Sequence, residues 1–341
     1  MTTTSPTWLA LDVGGANLKA SHSSGKARSV PFELWKRPDE LALVTAQLIH
    51  TLPPADRIAL TMTAELCDCY ATKTVGVHAV IDAVVEAVAG LPVSIWGTDG
   101  RFHPVTEVQA NPLIAAASNW LALATVVARL IPDGPGILID IGSTTSDLIG
   151  LADGQVRVQG RTDTERLQTG ELVYLGVRRT PLCALTTELP FRGRPTGLMA
   201  EFFASTLDIY LTLGEIASDP KDLSTADGRP STADAAVDRL ARMVGADRDG
   251  FTSEDSTAFA QGADEVVLGR LETAIRKVCA DPPRHAVVAG SGEFLARRLA
   301  RRILPTGGTI LSLGEVWGPL GSSAACAHAL VVLAQEAGDL E

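Results

Sequence analysis

Cysteine is scarce: the chain has five, an odd number with no framework spacing, which excludes a disulfide-built secreted domain and points to a reducing cytoplasm. Positive charge is also short. With 29 Lys and Arg against 40 Asp and Glu, the formal net charge is −11, which argues against nonspecific binding to nucleic acid or an anionic membrane. No apolar run reads as a membrane span, because the richest, 112–130, contains Asn119 and Trp120 and fits a buried helix better. The first six residues lack the charged and apolar regions of a signal peptide, so a cytoplasmic location is expected. Cys67 and Cys69 have no second Cys/His pair at a suitable spacing, which leaves a zinc site short of its usual set of about four ligands. His78, His103, His285 and His328 are isolated and read as structural. No Gly-x-Ser-x-Gly signature supports covalent catalysis.

What is present is a repeat. At Trp8-Leu9-Ala10-Leu11-Asp12-Val13-Gly14-Gly15-Ala16-Asn17-Leu18-Lys19 an apolar run ends in an acid and a small-residue turn. The same order returns 128 positions later (12 to 140) in Ile137-Leu138-Ile139-Asp140-Ile141-Gly142-Ser143-Thr144-Thr145-Ser146-Asp147. Each copy reads as a buried strand, a tight turn and a second strand. Either alone also reads as a structural hairpin; two with Asp, Gly and small polar residues at matching offsets favour phosphate binding. Glycine permits unusual backbone angles and close approach, and successive N–H groups in such turns form anion nests. A third apolar strand breaks at Gly290-Ser291-Gly292 ahead of a helix. Two facing turns of this kind would grip a phosphorylated ligand from both sides.

With 341 residues, 46% hydrophobic and 20% charged, the chain is long enough for two α/β domains with mixed sheets. The turn-rich break Pro132-Asp133-Gly134-Pro135-Gly136 marks a boundary. Residues 1–132 are expected to form a first lobe, 133–317 a second, and 318–341 a C-terminal helix packing back on the first. Strands are expected at 8–13, 18–23, 28–32, 57–62, 93–96, 285–289 and 309–313. Helices are expected at 74–89, 112–130, 196–213, 233–244, 257–280 and 292–302, with loops at 161–181 and 219–230.

This arrangement resembles the actin, Hsp70 and sugar-kinase superfamily, with a two-lobed actin-like ATPase (ribonuclease H-like) fold. Within it the chain is most similar to the hydantoinase/oxoprolinase-like group of tetrahydromethanopterin-linked C1-transfer pathway proteins. The resemblance is carried by the segments 12–19, 63–69, 140–147, 162–167, 169–181, 200–204 and 225–230. Archaeal members join an aminomethylfuran-methyl diphosphate to the phenol of γ-glutamyltyramine and release diphosphate. The resemblance therefore implies an ether-forming transferase in methanofuran-type cofactor assembly. It also allows an ATP-dependent small-molecule kinase, an amide-activating enzyme, or a non-enzymatic nucleotide-binding scaffold. The implied ligands are a furan diphosphate, a phenolic amine and Mg²⁺, with ATP allowed but not required. Nucleic acid and membrane are not expected partners, and a homodimer is left open.

Such chemistry needs the departing diphosphate held by metal and donors. Asp12 and Asp140 are the candidate Mg²⁺ carboxylates. The N–H groups of Gly14, Gly15 and Asn17, and of Gly142, Ser143, Thr144 and Thr145, are the candidate cradle, with Gly290, Ser291 and Gly292 as an adenosine-type loop. Lys19 is placed to reach a phosphate oxygen. A phenol, with pKa ~10, needs a base; Asp147, Glu65 and Asp68 are three candidates, unranked. Arg161, Arg166, Arg178 and Arg179 lie between positions 161 and 179, and one or two are expected to bind diphosphate or carboxylates. At least half of them read as surface arginines with acidic neighbours.

Overall fold

Every position of the apolar strand β1 (Trp8–Val13) is buried, which requires cover on both faces of its sheet. In the computed structural model, which describes residues 6–338, β1 is central. It is followed by β2 (Asn17–His22), β3 (Ala27–Pro31), β4 (Arg57–Met62), β5 (Val93–Trp96) and β6 (Phe102–Pro104), in the order β3-β2-β1-β4-β5-β6. The first three form an antiparallel meander. β4 is parallel to β1 and β5 to β4, each reached through a helix, and β6 turns back antiparallel. Helices Leu41–His50 and Lys73–Ala87 supply Leu48, Val77, Val80 and Ile81 to a core with Leu9, Leu11 and Leu60. Helix Ala325–Gly338 packs on β1, β2, β4 and helix Asn119–Ala128.

The second sheet repeats the plan. Strands β7 (Pro135–Ile141), β8 (Ser146–Ala152) and β9 (Gln155–Arg157) begin 127, 129 and 128 positions after β1, β2 and β3 (8 to 135, 17 to 146, 27 to 155). β10 (Leu172–Val173) pairs with β8, and a separate hairpin joins β11 (Glu188–Phe191) to β12 (Arg194–Gly197). With β13 (His285–Ala289) and β14 (Thr309–Ser312), the order is β10-β8-β7-β13-β14, with β9 on β8. Among the described residues, no helix is long and apolar enough to cross a membrane.

The chain divides into two compact units: Met1–Leu138 with Ile149–Arg166 and Leu311–Glu341, and Ile139–Leu148 with Leu167–Ile310. The division falls inside β7 and β8 rather than at the Pro/Gly-rich 132–136, because proline and glycine mark turns while packing sets domains. Other expectations shift too. The expected helix 112–130 is a short 3₁₀ turn, a left-handed Ala117 (φ 50°) and helix Asn119–Ala128. Buried Ser118 enforces that break, donating to the Trp96 carbonyl at 2.8 Å and lying 2.9 Å from the Thr61 hydroxyl. Residues 161–181 are not all loop but include helix Asp163–Thr169 and β10. Of the expected helix 196–213 only Thr206–Thr212 is helical, started by a Ser205/Asp208 capping box.

Candidate functional site

In the first unit the sequence-predicted residues collect where β1 and β4 end at their carboxyl sides, where parallel sheets usually place ligands. Asp12 is buried and sits opposite Lys19 in the β1–β2 register. Its Oδ2 lies 3.6 Å from the Lys19 ammonium, and its Oδ1 accepts from the Asn119 amide at 3.3 Å. Asn119, the first residue of its helix, is a site residue that no local motif announces. The turn between is closed by the Gly14 N–H donating to the Asn17 carbonyl at 3.1 Å.

The second turn is closed identically, with the Gly142 N–H donating to the Thr145 carbonyl at 2.8 Å. This corrects the expected cradle: the Gly14 and Gly142 N–H groups are consumed in closing their turns. Among the described residues, those of Gly15, Ala16, Ser143 and Thr144 make no hydrogen bond. Of the two reasons expected for the glycines, backbone angle and close approach, only the second applies. None of Gly14, Gly15 and Gly142 has a positive φ; a Cβ on Gly15 would sit 2.6 Å from Cys67 Sγ, so close approach decides.

That contact ties the first turn to the segment after β4, which carries Glu65. Glu65 is 1% exposed, and no hydrogen bond of good geometry reaches either carboxylate oxygen. Its backbone is pinned, since a Cβ on Gly76 of helix Lys73–Ala87 would overlap the Glu65 carbonyl oxygen at 2.2 Å. Burial pushes the Glu65 carboxyl up to about 7; its own backbone N–H and that of Ala117 pull the other way, the charge of Asp163 adds to the rise and that of Lys73 opposes it. Lys73 and Asp163 pair at 3.3 Å. Sequence reasoning missed Lys73, which gains meaning only through a partner 90 positions away. Of the other expected residues here, Asp68 is exposed. Arg161 is exposed and donates to the Thr98 carbonyl at 3.2 Å. Arg166 is not at the surface: it is buried, its guanidinium 4.0 Å above the Trp120 ring.

In the second unit, three predicted pieces converge. Gly290, at φ 88°, leaves no room for a Cβ, which would lie 2.3 Å from the Ile141 carbonyl oxygen and 2.4 Å from Asp140 Oδ1. The Gly292 N–H donates to Ile141 at 2.8 Å, while Ser291 is exposed. Behind the turn, Val177 donates to Gly142, and Arg178 and Arg179 both donate from their backbones to the Ser143 carbonyl. Gly176 packs against the Ser143–Thr144 peptide too closely for any side chain. The Arg178 guanidinium pairs with Asp222. Asp147 lies on β8 opposite Leu172.

Among the described residues, no three His, Cys, Asp or Glu side chains cluster as a metal cage. That donor set does not suit Zn²⁺. Mg²⁺ makes a smaller demand on the protein, since it keeps most of its water and takes one or two carboxylates plus substrate phosphates. In the first unit Asp12, buried beside Lys19 and Asn119, and in the second Asp140, half-buried beside Gly290, are each a carboxylate of the kind such an ion would use.

A model of the hydantoinase/oxoprolinase family matches residues 56–329. The chain belongs to that family. This hydantoinase/oxoprolinase-family chain is 34% identical over 335 residues to a (4-{4-[2-(gamma-L-glutamylamino)ethyl]phenoxymethyl}furan-2-yl)methanamine synthase of Methanocaldococcus jannaschii, covering 96% of this chain and 97% of the relative. A synthase of the same name from Methanococcus vannielii is 29% identical over 184 residues, 53% of this chain and 82% of that one. Among solved structures, nucleotide-free acetone carboxylase aligns with a TM-score of 0.52 and 10% identity, over 96% of this chain and 70% of that chain. That likeness is one of fold: two α/β units of the actin, Hsp70 and sugar-kinase type, each a mixed sheet flanked by helices.

Proposed function

We propose that this chain is a transferase that condenses an aminomethylfuran-methyl diphosphate with the phenol of a glutamyl-tyramine-like acceptor and releases diphosphate. One observation carries the reading: the 34% identity, over nearly the whole of both chains, to a synthase named for such an aryl-alkyl ether. In the reaction the carbon–oxygen bond to diphosphate breaks, the phenolic oxygen bonds to the freed furfuryl carbon, and the phenol proton passes to a base. The furan ring spreads the developing positive charge, so the main task of the protein is to stabilise the departing anion.

We assign that task to the N–H groups of Gly15, Ala16, Ser143 and Thr144, the hydroxyls of Thr144 and Thr145, and Lys19. Asp12 and Asp140 are the residues that would hold Mg²⁺, which when bound neutralises charge on the diphosphate. We assign the base to Glu65. A buried carboxyl with no well-formed hydrogen bond and a pKa of about 7 suits proton transfer near neutrality, where the ideal base titrates. Asp68 and Asp147 lack that combination, the one being exposed and the other half-buried on a paired strand.

The test is incubation of the full chain with the furan diphosphate, γ-glutamyltyramine and Mg²⁺, with mass detection of the product. One ether per diphosphate released is expected. No ether from γ-glutamyltyramine, tyramine or tyrosine would overturn the reading.

A further inference from the structure

Two of the segments singled out in the sequence, 200–204 and 225–230, have no part in the chemistry above. They line a cavity of about 350 Å³ in the second unit, walled by Glu201, Phe202, Phe203, Ala226, Asp227 and Arg242. The lining combines both charge signs with aromatic faces. Phe202 is half-exposed, and the Arg242 guanidinium stands 3.8 Å from Asp227 with almost half its side chain open to solvent.

The site is built rather than incidental. Asp227 is fixed by fully buried Arg239 at 3.1 Å, and Arg239 is held in turn by buried Asp208 at 2.7 Å. Burial works against the Asp227 charge, but the Arg229 N–H and Arg239 hold its carboxyl below the usual range, so it stays ionised. Both walls are tethered to the segment 176–182 that backs the second small-residue turn. On one side Thr206 donates to the Gly176 carbonyl at 2.7 Å and Leu182 to the Ala204 carbonyl at 3.0 Å. On the other, Asp222 of the 219–230 loop pairs with Arg178, whose N–H donates to Ser143.

We infer that this cavity binds the zwitterionic α-amino-acid end of the phenolic acceptor, its carboxylate on Arg242, its ammonium on Glu201 and Asp227, and its carbon chain against Phe202 and Phe203. A planar guanidinium beside carboxylates matches that head group, and the aromatic faces match the chain that joins it to the phenol. A γ-glutamyl amide and a tyrosine both carry such an end; tyramine carries only an ammonium. The assignment rests on the transferase reading.

Steady-state kinetics on the full chain, with the furan diphosphate saturating, compare γ-glutamyltyramine with tyramine for wild type, Arg242→Ala and Glu201→Gln. The ratio of their kcat/KM values is expected to fall at least tenfold in Arg242→Ala, and the KM of the glutamyl acceptor to rise at least tenfold in both variants. A ratio within twofold of wild type in Arg242→Ala, or a change confined to the KM of the furan diphosphate, overturns the inference. Calorimetric titration of γ-glutamyltyramine separates the two claims. Binding that Arg242→Ala abolishes, in a protein that forms no ether, sinks the transferase and keeps the subsite. Ether formation with binding undiminished by Arg242→Ala does the reverse.

Discussion

A carboxyl shut away from water with no well-formed hydrogen bond favours its neutral form, and the sign of the pH effect follows. The Glu65 carboxyl is held up to about 7 in the fold against 4.5 in its ordinary state. The unfolded chain therefore gives up this proton first as pH rises. The fold carries no penalty below about pH 4.5, loses stability progressively to about pH 7, and carries the full cost, on the order of 3 kcal/mol, above it. Glu65→Gln removes the charge at constant size. The variant should be more stable than wild type in urea at pH 8, show no such gain at pH 4, and lose at least 100-fold in kcat. Equal stability differences at the two pH values would count against the buried charge, and intact turnover against the base. Asp12→Asn and Asp140→Asn act differently. Each keeps its shape, so melting temperatures should stay within a few degrees while turnover falls at least 100-fold. Turnover near wild type in either variant removes that carboxylate from the site.

At the scale of elements, two glycines with similar backbone angles separate conformation from space. Gly290 (φ 88°) faces the Ile141 carbonyl oxygen, whereas Gly154 (φ 74°) has nothing within 4 Å of where a Cβ would stand. Gly154→Ala should cost only the left-handed penalty of about 1 kcal/mol. Gly290→Ala should cost more than about 3 kcal/mol in urea unfolding, because the end of β7 must move. Equal costs would show that the turn yields freely. The same distinction explains what could be read from sequence. Strands 57–62, 93–96 and 285–289 coincide with β4, β5 and β13, because each is a short apolar run between turn residues. The helix expected over 112–130 is broken where Ala116-Ala117-Ser118 offers no local breaker, since the Ser118 hydroxyl, donating to the Trp96 carbonyl and accepting from Thr61, imposes the break. The placement of Asp12 at the end of β1 in the first unit and of Asp140 near the end of β7 in the second, each ahead of a closed turn, was legible because their residue types repeat. The consumption of the Gly14 and Gly142 N–H groups, the role of Asn119 and the isolation of Glu65 were not, being set by contacts between distant segments.

For the molecule as a whole, a net charge of −11 sets the terms on which the proposed transferase would take a diphosphate. The protein's own field repels the ligand, and the free N–H groups of two turns with one lysine are few donors against it. A divalent cation would supply the positive charge these donors do not, so chelation should lower ether formation at least 100-fold, and Mg²⁺ should restore it. ATP has no corresponding task. Acetone carboxylation by the protein that shares this fold is ATP-dependent, but at 10% identity only the architecture carries over. The furan substrate already holds its leaving group, and exchange of a diphosphate ester for an aryl ether needs no second activated phosphate. Product should therefore form at the same rate with and without ATP, with one diphosphate released per ether and no ADP. Stoichiometric ADP, followed by coupled assay or phosphorus NMR, would instead make this chain an ATP-using enzyme and remove the direct displacement.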